Sequence, residues 1–93
     1  MFMNLDLKNK VALVTGASQG LGKATCLLLA SEGAKVAVHY RSSSERAEEV
    51  VQEIKAKYNT EAISVYADVG KETDVLTMFE KIDEVFGRID ILS

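Results

Sequence analysis

Residues 14–22 read VTGASQGLG, with glycines at positions 16, 20 and 22 directly after an apolar run. Glycines at such spacing let a chain turn sharply and let backbone N–H groups approach a ligand closely. The ligand that suits such a loop is a phosphate, because the N–H groups and the positive dipole end of the following helix both attract anions. The loop therefore predicts a phosphate site, and a glycine-rich turn without a ligand is the alternative.

The three glycines have different expected tasks. Gly16 lets the chain turn, Gly20 lets the backbone approach a pyrophosphate, and Gly22 lets the helix pack close to the strand. The loop also follows a predicted strand and opens a predicted helix, which is the context that makes a glycine motif of this kind informative.

The segments around the loop alternate between strand and helix patterns. Continuous β-branched apolar runs predict buried strands at 10–16, 34–40 and 61–69, and 88–93 opens a fourth strand. A run of helix formers that ends at a glycine predicts a helix at 21–33. Apolar residues at helical spacing predict helices at 44–58, with Ser44 as the N-cap, and at 72–86.

This order, β-α-β-α-β-α-β, predicts an α/β fold with a parallel sheet and helices on both faces. Right-handed crossovers favour a Rossmann-type sheet with strand order 3-2-1-4, which we expect to stop after strand 4. Residues 1–93 would then form a single domain. Ligands of such sheets bind at the carboxyl ends of the strands, and the glycine loop leaves strand 1 at that edge.

Composition excludes several classes of function. The 93 residues are 47% hydrophobic and 27% charged, which suits one small soluble domain. A net charge of −3 gives no general attraction to nucleic acid or to an anionic membrane, and the apolar runs are too short for a membrane span. No secretion signal is recognisable, and the single cysteine, Cys26, is expected to be an inert buried thiol, so the expected location is cytoplasmic.

The sequence TGASQGLG, spaced T-G-x(3)-G-x-G, resembles the short-chain dehydrogenase/reductase family. The resemblance continues at ADV, residues 67–69, and at GRIDIL, residues 87–92, and it covers nearly the whole chain. Within the family the chain is most similar to the 3-oxoacyl-acyl-carrier-protein reductases and the related sugar dehydrogenases. The resemblance implies NAD(P)-dependent interconversion of a small carbonyl compound and its alcohol, in full-length relatives that are usually homo-oligomers.

The resemblance also implies roles in cofactor binding. Residues 16–22 would hold the pyrophosphate and the adjacent ribose, Asp68 would bond the adenine amino group, and Val69 would contact the same ring. For Asp68 the alternatives are a solvated carboxylate and a part of the cap of the following helix. The expected cofactor contacts are Gly16, Ser18, Gln19, Gly20, Leu21, Gly22, Tyr40, Arg41, Ser42, Asp68 and Val69.

The end of the second strand indicates which dinucleotide binds. An NAD site usually has an acidic residue there, whereas this chain has Tyr40 followed by Arg41. A guanidinium can pair with a 2′-phosphate, so NADP(H) is expected rather than NAD(H), unless Arg41 is a solvated loop residue. Gln19 stands where many NADP-using relatives carry a basic residue. His39 is expected in the core or at an edge rather than as a ligand, and no metal site is expected.

No catalytic residue is expected in this chain. Carbonyl reduction needs a proton donor beside the substrate oxygen, which the family supplies with a Y-x-x-x-K pair and an upstream serine. None of Tyr40, Tyr58 and Tyr66 has a lysine four positions later, and the family's Asn-Asn-Ala-Gly segment is absent after 90–92. The chain is therefore expected to be the N-terminal, cofactor-binding portion of an oxidoreductase, inactive alone. The alternative is a stand-alone nucleotide-binding or interaction module.

Overall fold

The computed structural model describes residues 6–93, which form a four-stranded parallel sheet covered by helices on both faces. The elements in chain order are β1 (Val11–Val14), α1 (Gly20–Ser31), β2 (Lys35–Tyr40), α2 (Ser44–Tyr58), β3 (Ala62–Tyr66), α3 (Glu72–Phe86) and β4 (Ile91–Leu92). The strand order is β3-β2-β1-β4, and every pair is parallel. The predicted fold class and strand order are confirmed. Within the described residues, no helix is long and apolar enough to cross a bilayer.

The apolar core lies in two clusters, one on each face of the sheet. Val14 and Val36 point into the cluster beneath α1 and α2, whereas Leu13 and Ala37 point into the cluster beneath α3. Because successive strand residues enter opposite clusters, β1 and β2 are buried on both faces. This two-sided burial is the physical reason for the continuous apolar runs in the sequence.

The strands are shorter than those runs. The third strand was expected to reach residue 69, but β3 ends at Tyr66. Ala67 is fully buried and its N–H still donates to Tyr40 O at 3.2 Å, so an apolar residue continues the pattern after the ladder has stopped. The apolar run thus indicates which residues are buried, and burial extends past the last residue that pairs in the sheet.

Two helix details refine the sequence expectations. The N-cap of α2 is Ser43, whose hydroxyl accepts a hydrogen bond from Arg46 N at 3.2 Å, so the assignment of the cap to Ser44 is wrong by one residue. Ser44 is the first helical residue instead. On α1, Cys26 is fully buried as expected, and burial raises the pKa of its thiol to about 12. The thiol is therefore protonated at neutral pH and is no nucleophile.

Asp90 ties β4 to the start of β1. Its backbone N–H donates to Val11 O at 2.8 Å, and its carboxylate accepts a hydrogen bond from Val11 N at 2.9 Å. The Arg88 guanidinium also donates to this carboxylate, at 2.6 Å and 3.0 Å. The bond from Arg88 first, and the bond from Val11 N second, lower the pKa of Asp90 from its ordinary value. The ionised carboxylate is thus part of the joint between the two strands.

This joint predicts a pH-dependent contribution to stability. A carboxylate whose pKa is lower in the folded chain stabilises the fold above its unfolded pKa and loses that effect as the pH falls through its folded pKa. Asp90→Ala should therefore lower the free energy of unfolding at pH 7, and the difference from wild type should shrink below the usual range of aspartate. Urea unfolding at neutral and acidic pH measures this difference. Asp83→Ala on α3 is the matched control, and an Asp90→Ala deficit that is equal at both pH values would contradict the account.

Candidate functional site

The glycine loop joins β1 to α1 at the carboxyl edge of the sheet. Gly16 has φ +60° and Gly20 has φ +61°, a left-handed conformation in which any other residue is strained. A Cβ built at Gly20 would meet nothing within 4 Å. Conformation and not crowding therefore requires glycine at position 20, and the loop faces open space there.

Gly22 is required for the opposite reason. A Cβ at this position would lie 2.3 Å from Gly16 O and 2.9 Å from Ala17 Cα, and both neighbours are backbone atoms that cannot swing away. The first turn of α1 thus packs against the beginning of its own loop, two residues beyond the end of β1. Sequence reasoning expected a close approach to the strand, and the closest contact is with the loop that follows it.

The start of α1 is electrostatically open. Its N-cap, Gln19, makes no side-chain cap hydrogen bond, and no acidic residue lies in the first turn. The Lys23 N–H reaches Gln19 O only at 3.4 Å. N–H groups at the beginning of a helix without a cap or a nearby carboxylate retain their attraction for an anion. The geometry thus fits the diphosphate of a dinucleotide.

His39 holds the glycine loop in place. The ring is only 5% exposed, its Nδ1 accepts a hydrogen bond from Gly16 N at 3.0 Å, and its Nε2 donates to Ala67 O at 2.8 Å. Both bonds require a neutral ring with its proton on Nε2. Sequence reasoning correctly kept His39 in the core but missed both bonds. The available signal was a polar ring in an apolar strand, since a buried imidazole needs a partner for each nitrogen.

The carboxyl ends of β2 and β3 bring the next expected contacts together. Tyr40 is half-buried, and its ring meets the ring of Tyr66 edge-on with centroids 5.9 Å apart. Arg41 follows and is 70% exposed, with its Nη2 3.5 Å from Asp68 Oδ2. Ser42 is exposed beside it. Arg41 and Asp68 thus form an ion pair that spans the ends of the two strands.

Asp68 itself belongs to the loop after β3. Its Oδ1 accepts a hydrogen bond from Gly70 N at 3.0 Å, and its own N–H donates to Asp74 Oδ2 at 3.1 Å. The N-cap of α3 is Lys71, so the Asp68 side chain caps no helix. Because Arg41 also pairs with it, Asp68 is no freely solvated carboxylate either. The remaining expected contact at this edge, Val69, is exposed.

Arg46 is a residue that sequence reasoning overlooked. It lies in the first turn of α2, and its Nη1 donates a hydrogen bond to Gln19 Oε1 in the glycine loop, 27 positions earlier. Sequence reasoning assigned Arg46 no role, because the apolar spacing of α2 reports only on its buried face. The sequence did contain a signal for Arg46, because it places a positive charge in the first turn of a helix, where the positive end of the helix dipole disfavours a cation.

One other concave surface is poorly suited to a phosphate. An open depression of about 710 Å³ lies along α2 and β3, away from the loop, and carboxylates from Glu45, Glu48 and Glu49 line it. These carboxylates repel an anion. Within residues 6–93, no three side chains of the metal-binding types come together. The glycine loop and the uncapped start of α1 make the carboxyl edge around them the candidate site.

The strand order together with the glycine loop after β1 defines a Rossmann-type α/β domain. The family model for short chain dehydrogenases matches residues 10–93, which is most of the chain. The chain belongs to the short-chain dehydrogenase family, as the resemblance in the sequence implied.

Curated relatives agree with this membership. The 3-oxoacyl-acyl-carrier-protein reductase FabG of Staphylococcus epidermidis is 48% identical over 84 residues, covering 90% of this chain and 34% of that protein. Versicolorin reductase stcU of Emericella nidulans is 48% identical over 90 residues, covering 97% of this chain and 34% of that protein. The chain thus spans about a third of the length of these relatives.

Solved structures match the fold closely. A short chain dehydrogenase from Burkholderia cenocepacia in complex with NADP superposes with a TM-score of 0.87 at 42% identity, covering 94% of this chain and 35% of that one. L-Sorbose reductase from Gluconobacter frateurii, complexed with NADPH and L-sorbose, gives a TM-score of 0.89 at 31% identity, covering 97% of this chain and 34% of that one. The likeness to each structure extends over nearly all of this chain.

The two bonds of His39 predict a stability loss that depends on polarity and not on volume. His39→Phe fills a similar space but leaves the Gly16 N–H and the Ala67 carbonyl without their partner. Unsatisfied buried groups cost ~1–3 kcal/mol, so the free energy of unfolding should fall by about 2 kcal/mol. Urea unfolding measures the change, with Tyr66→Phe as a control at an exposed aromatic ring. A loss no larger than the loss in the control would show that His39 does not hold the loop.

Proposed function

We propose that this chain binds NADP(H) at the carboxyl edge of the sheet. The observation that carries the proposal is the start of α1, which has no side-chain cap and no first-turn acid and which follows a loop that is open at Gly20. The diphosphate of a dinucleotide supplies the anion that such a helix start attracts. The NADP and NADPH complexes among the structural relatives support this choice of ligand.

Each part of the cofactor would have its own set of residues. Arg41 and Ser42 would bind the ribose and its 2′-phosphate beside Tyr40, whereas Asp68 and Val69 would bind the adenine. The bond from Gly70 N fixes the Asp68 carboxylate and leaves it further lone pairs for the adenine amino group. The loop residues Gly16, Ser18, Gln19, Gly20, Leu21 and Gly22 would hold the diphosphate and the adjacent ribose.

The ion pair of Arg41 with Asp68 is compatible with phosphate binding. Arg41 is largely exposed, and an exposed ion pair contributes only ~0–1 kcal/mol. A 2′-phosphate carries more negative charge than a carboxylate and offers the guanidinium a two-pronged hydrogen-bonding partner. Arg41 can therefore leave Asp68 for the 2′-phosphate, or bind both groups, at little cost in free energy. With Tyr40 where an NAD site would have its acid, the 2′-hydroxyl of NAD(H) finds no such partner.

We also propose that residues 1–93 are the cofactor-binding portion of an NADP(H)-dependent oxidoreductase that interconverts a small carbonyl compound and its alcohol. The nicotinamide supplies the hydride when it is bound. The names of the curated relatives, which are reductases, support the reaction class and make a 3-oxoacyl thioester one candidate substrate. A cytoplasmic location and homo-oligomeric assembly of the whole protein belong to the same proposal.

The chain by itself should bind the cofactor without turnover. No tyrosine is followed by a lysine four positions later, so these residues place no proton donor of that kind at a substrate carbonyl. The same observation keeps a second candidate function open, a nucleotide-binding module without catalysis. Both candidates predict that the 93-residue chain does not oxidise NADPH when short 3-oxoacyl thioesters or small ketones are supplied. A turnover that Gly20→Asp abolishes would contradict this expected inactivity.

The proposed role of Arg41 predicts selectivity between the two dinucleotides. Wild type should bind NADPH more tightly than NADH, because a charge-assisted bond to phosphate contributes ~1.5–3 kcal/mol, or roughly 10- to 100-fold in affinity. Arg41→Ala should lower this preference and leave NADH binding nearly unchanged. Fluorescence titration of both cofactors measures it. Equal affinities for NADPH and NADH that Arg41→Ala leaves unaltered would refute the assignment.

A further inference from the structure

We propose that Arg46 is a second specificity-determining residue for the 2′-phosphate and that Gln19 positions it. The inference rests on the proposed binding of NADP(H) and adds to it a side chain from α2. It starts from a contact that the proposed cofactor site did not need, the hydrogen bond from Arg46 Nη1 to Gln19 Oε1.

That contact brings a positive charge to the glycine loop. Gln19 is the N-cap of α1 and stands at the position where a basic residue could have served the same purpose. The side chain of Arg46 reaches this position from the first turn of α2. The loop, which has no basic residue from 15 to 22, thereby gains a guanidinium from a neighbouring element.

The charge of Arg46 is not neutralised. Its partner is a neutral amide oxygen, and within residues 6–93 no ion pair joins Arg46 to a carboxylate. Neighbouring cations differ in this respect, because Lys23 pairs with Glu53 at 3.5 Å and Arg41 pairs with Asp68. Arg46 therefore retains its full charge for an anion at this edge.

The position of Arg46 within α2 is unfavourable for the helix itself. Counting from the Ser43 cap, Arg46 is the third helical residue, where a glutamate or glutamine can complete a capping box and where the helix dipole repels a cation. A residue that breaks a local rule without a local gain is expected at a functional site. An anion bound beside the first turn of α2 would attract both the guanidinium of Arg46 and the positive end of the helix dipole, and would so offset their mutual repulsion.

The two arginines lie on opposite sides of the turn after β2. Arg41 reaches the end of β3 through Asp68, whereas Arg46 reaches the loop after β1 through Gln19. A phosphate at the intervening turn would be approached by a guanidinium from each side. Arg46 uses one N–H for Gln19 and keeps further N–H donors for phosphate oxygens, so it need not release the amide when it binds.

Gln19 acts in this arrangement as a positioning residue. It contributes no charge, but its amide oxygen holds the flexible arginine side chain over the loop before a ligand arrives. Preordering of this kind lowers the entropy that binding costs. Removing Gln19 should therefore weaken the effect of Arg46 without eliminating its charge.

The test is a fluorescence titration of the 93-residue chain with NADPH and, separately, NADH. Arg46→Ala should weaken NADPH binding by roughly tenfold, because it removes a charged hydrogen-bond donor, and should leave NADH binding within about twofold. Arg46→Lys, which keeps the charge but not the fork, should fall between wild type and Arg46→Ala. Lys55→Ala removes one positive charge near the other end of α2 and should change neither affinity.

The role of Gln19 is tested by a double-mutant cycle. Gln19→Ala should lower the NADPH-to-NADH affinity ratio by less than Arg46→Ala does, and the double variant should match Arg46→Ala alone, since Gln19 contributes to this ratio only through Arg46. A purely structural role would weaken both cofactors equally and leave the ratio unchanged. Independent, additive effects on the ratio would overturn the positioning role.

The outcomes separate this inference from the proposed function. Wild type that binds neither cofactor defeats the proposed function, and the inference falls with it. Wild type that prefers NADPH, with an affinity ratio that Arg46→Ala leaves unchanged, overturns the inference and leaves the proposed function standing. If circular dichroism shows that Arg46→Ala is unfolded, Arg46→Gln supplies the same comparison with a side chain that still reaches the loop.

Discussion

The close contact between Gly22 and Gly16 is the constraint on which the candidate site depends. Because no side chain separates the first turn of α1 from the carbonyl of Gly16, the helix begins directly against the loop that follows β1. Its unsatisfied N–H groups then face the open carboxyl edge, where the left-handed Gly20 adds no side chain. In the proposed function, backbone geometry alone supplies the anion site, and the charged side chains act as additions to it.

Side chains from the end of β2 and the start of α2 join three loops into one surface. His39 links the glycine loop to the end of β3, Arg41 reaches Asp68, and Arg46 reaches Gln19. The buried bonds of His39 are structural, whereas the two arginine contacts are exposed and easily exchanged. A hydrogen-bonded backbone loop with exchangeable charges around it suits a charged ligand.

Much of this could be predicted from the sequence, because local periodicity reports burial. The apolar stripes gave α2 and α3 their bounds, and the glycine spacing identified the loop and the family. Contacts between elements could not be predicted in the same way. The bonds of His39 and the reach of Arg46 depend on which loops become neighbours, and no periodicity encodes that. The cap of α2 was placed one residue late because three serines in succession fit the same pattern.

The central claim is that the cofactor binds at the carboxyl edge around the glycine loop. The glycines themselves report on it, since Gly16, Gly20 and Gly22 lie at this edge, whereas Gly33 follows α1 and Gly87 follows α3 at the other end of the sheet. NADPH added to ¹⁵N-labelled protein should shift the amide resonances of the first three and leave those of the other two in place. Shifts confined to Gly33 and Gly87, or no shifts at all, would contradict the account.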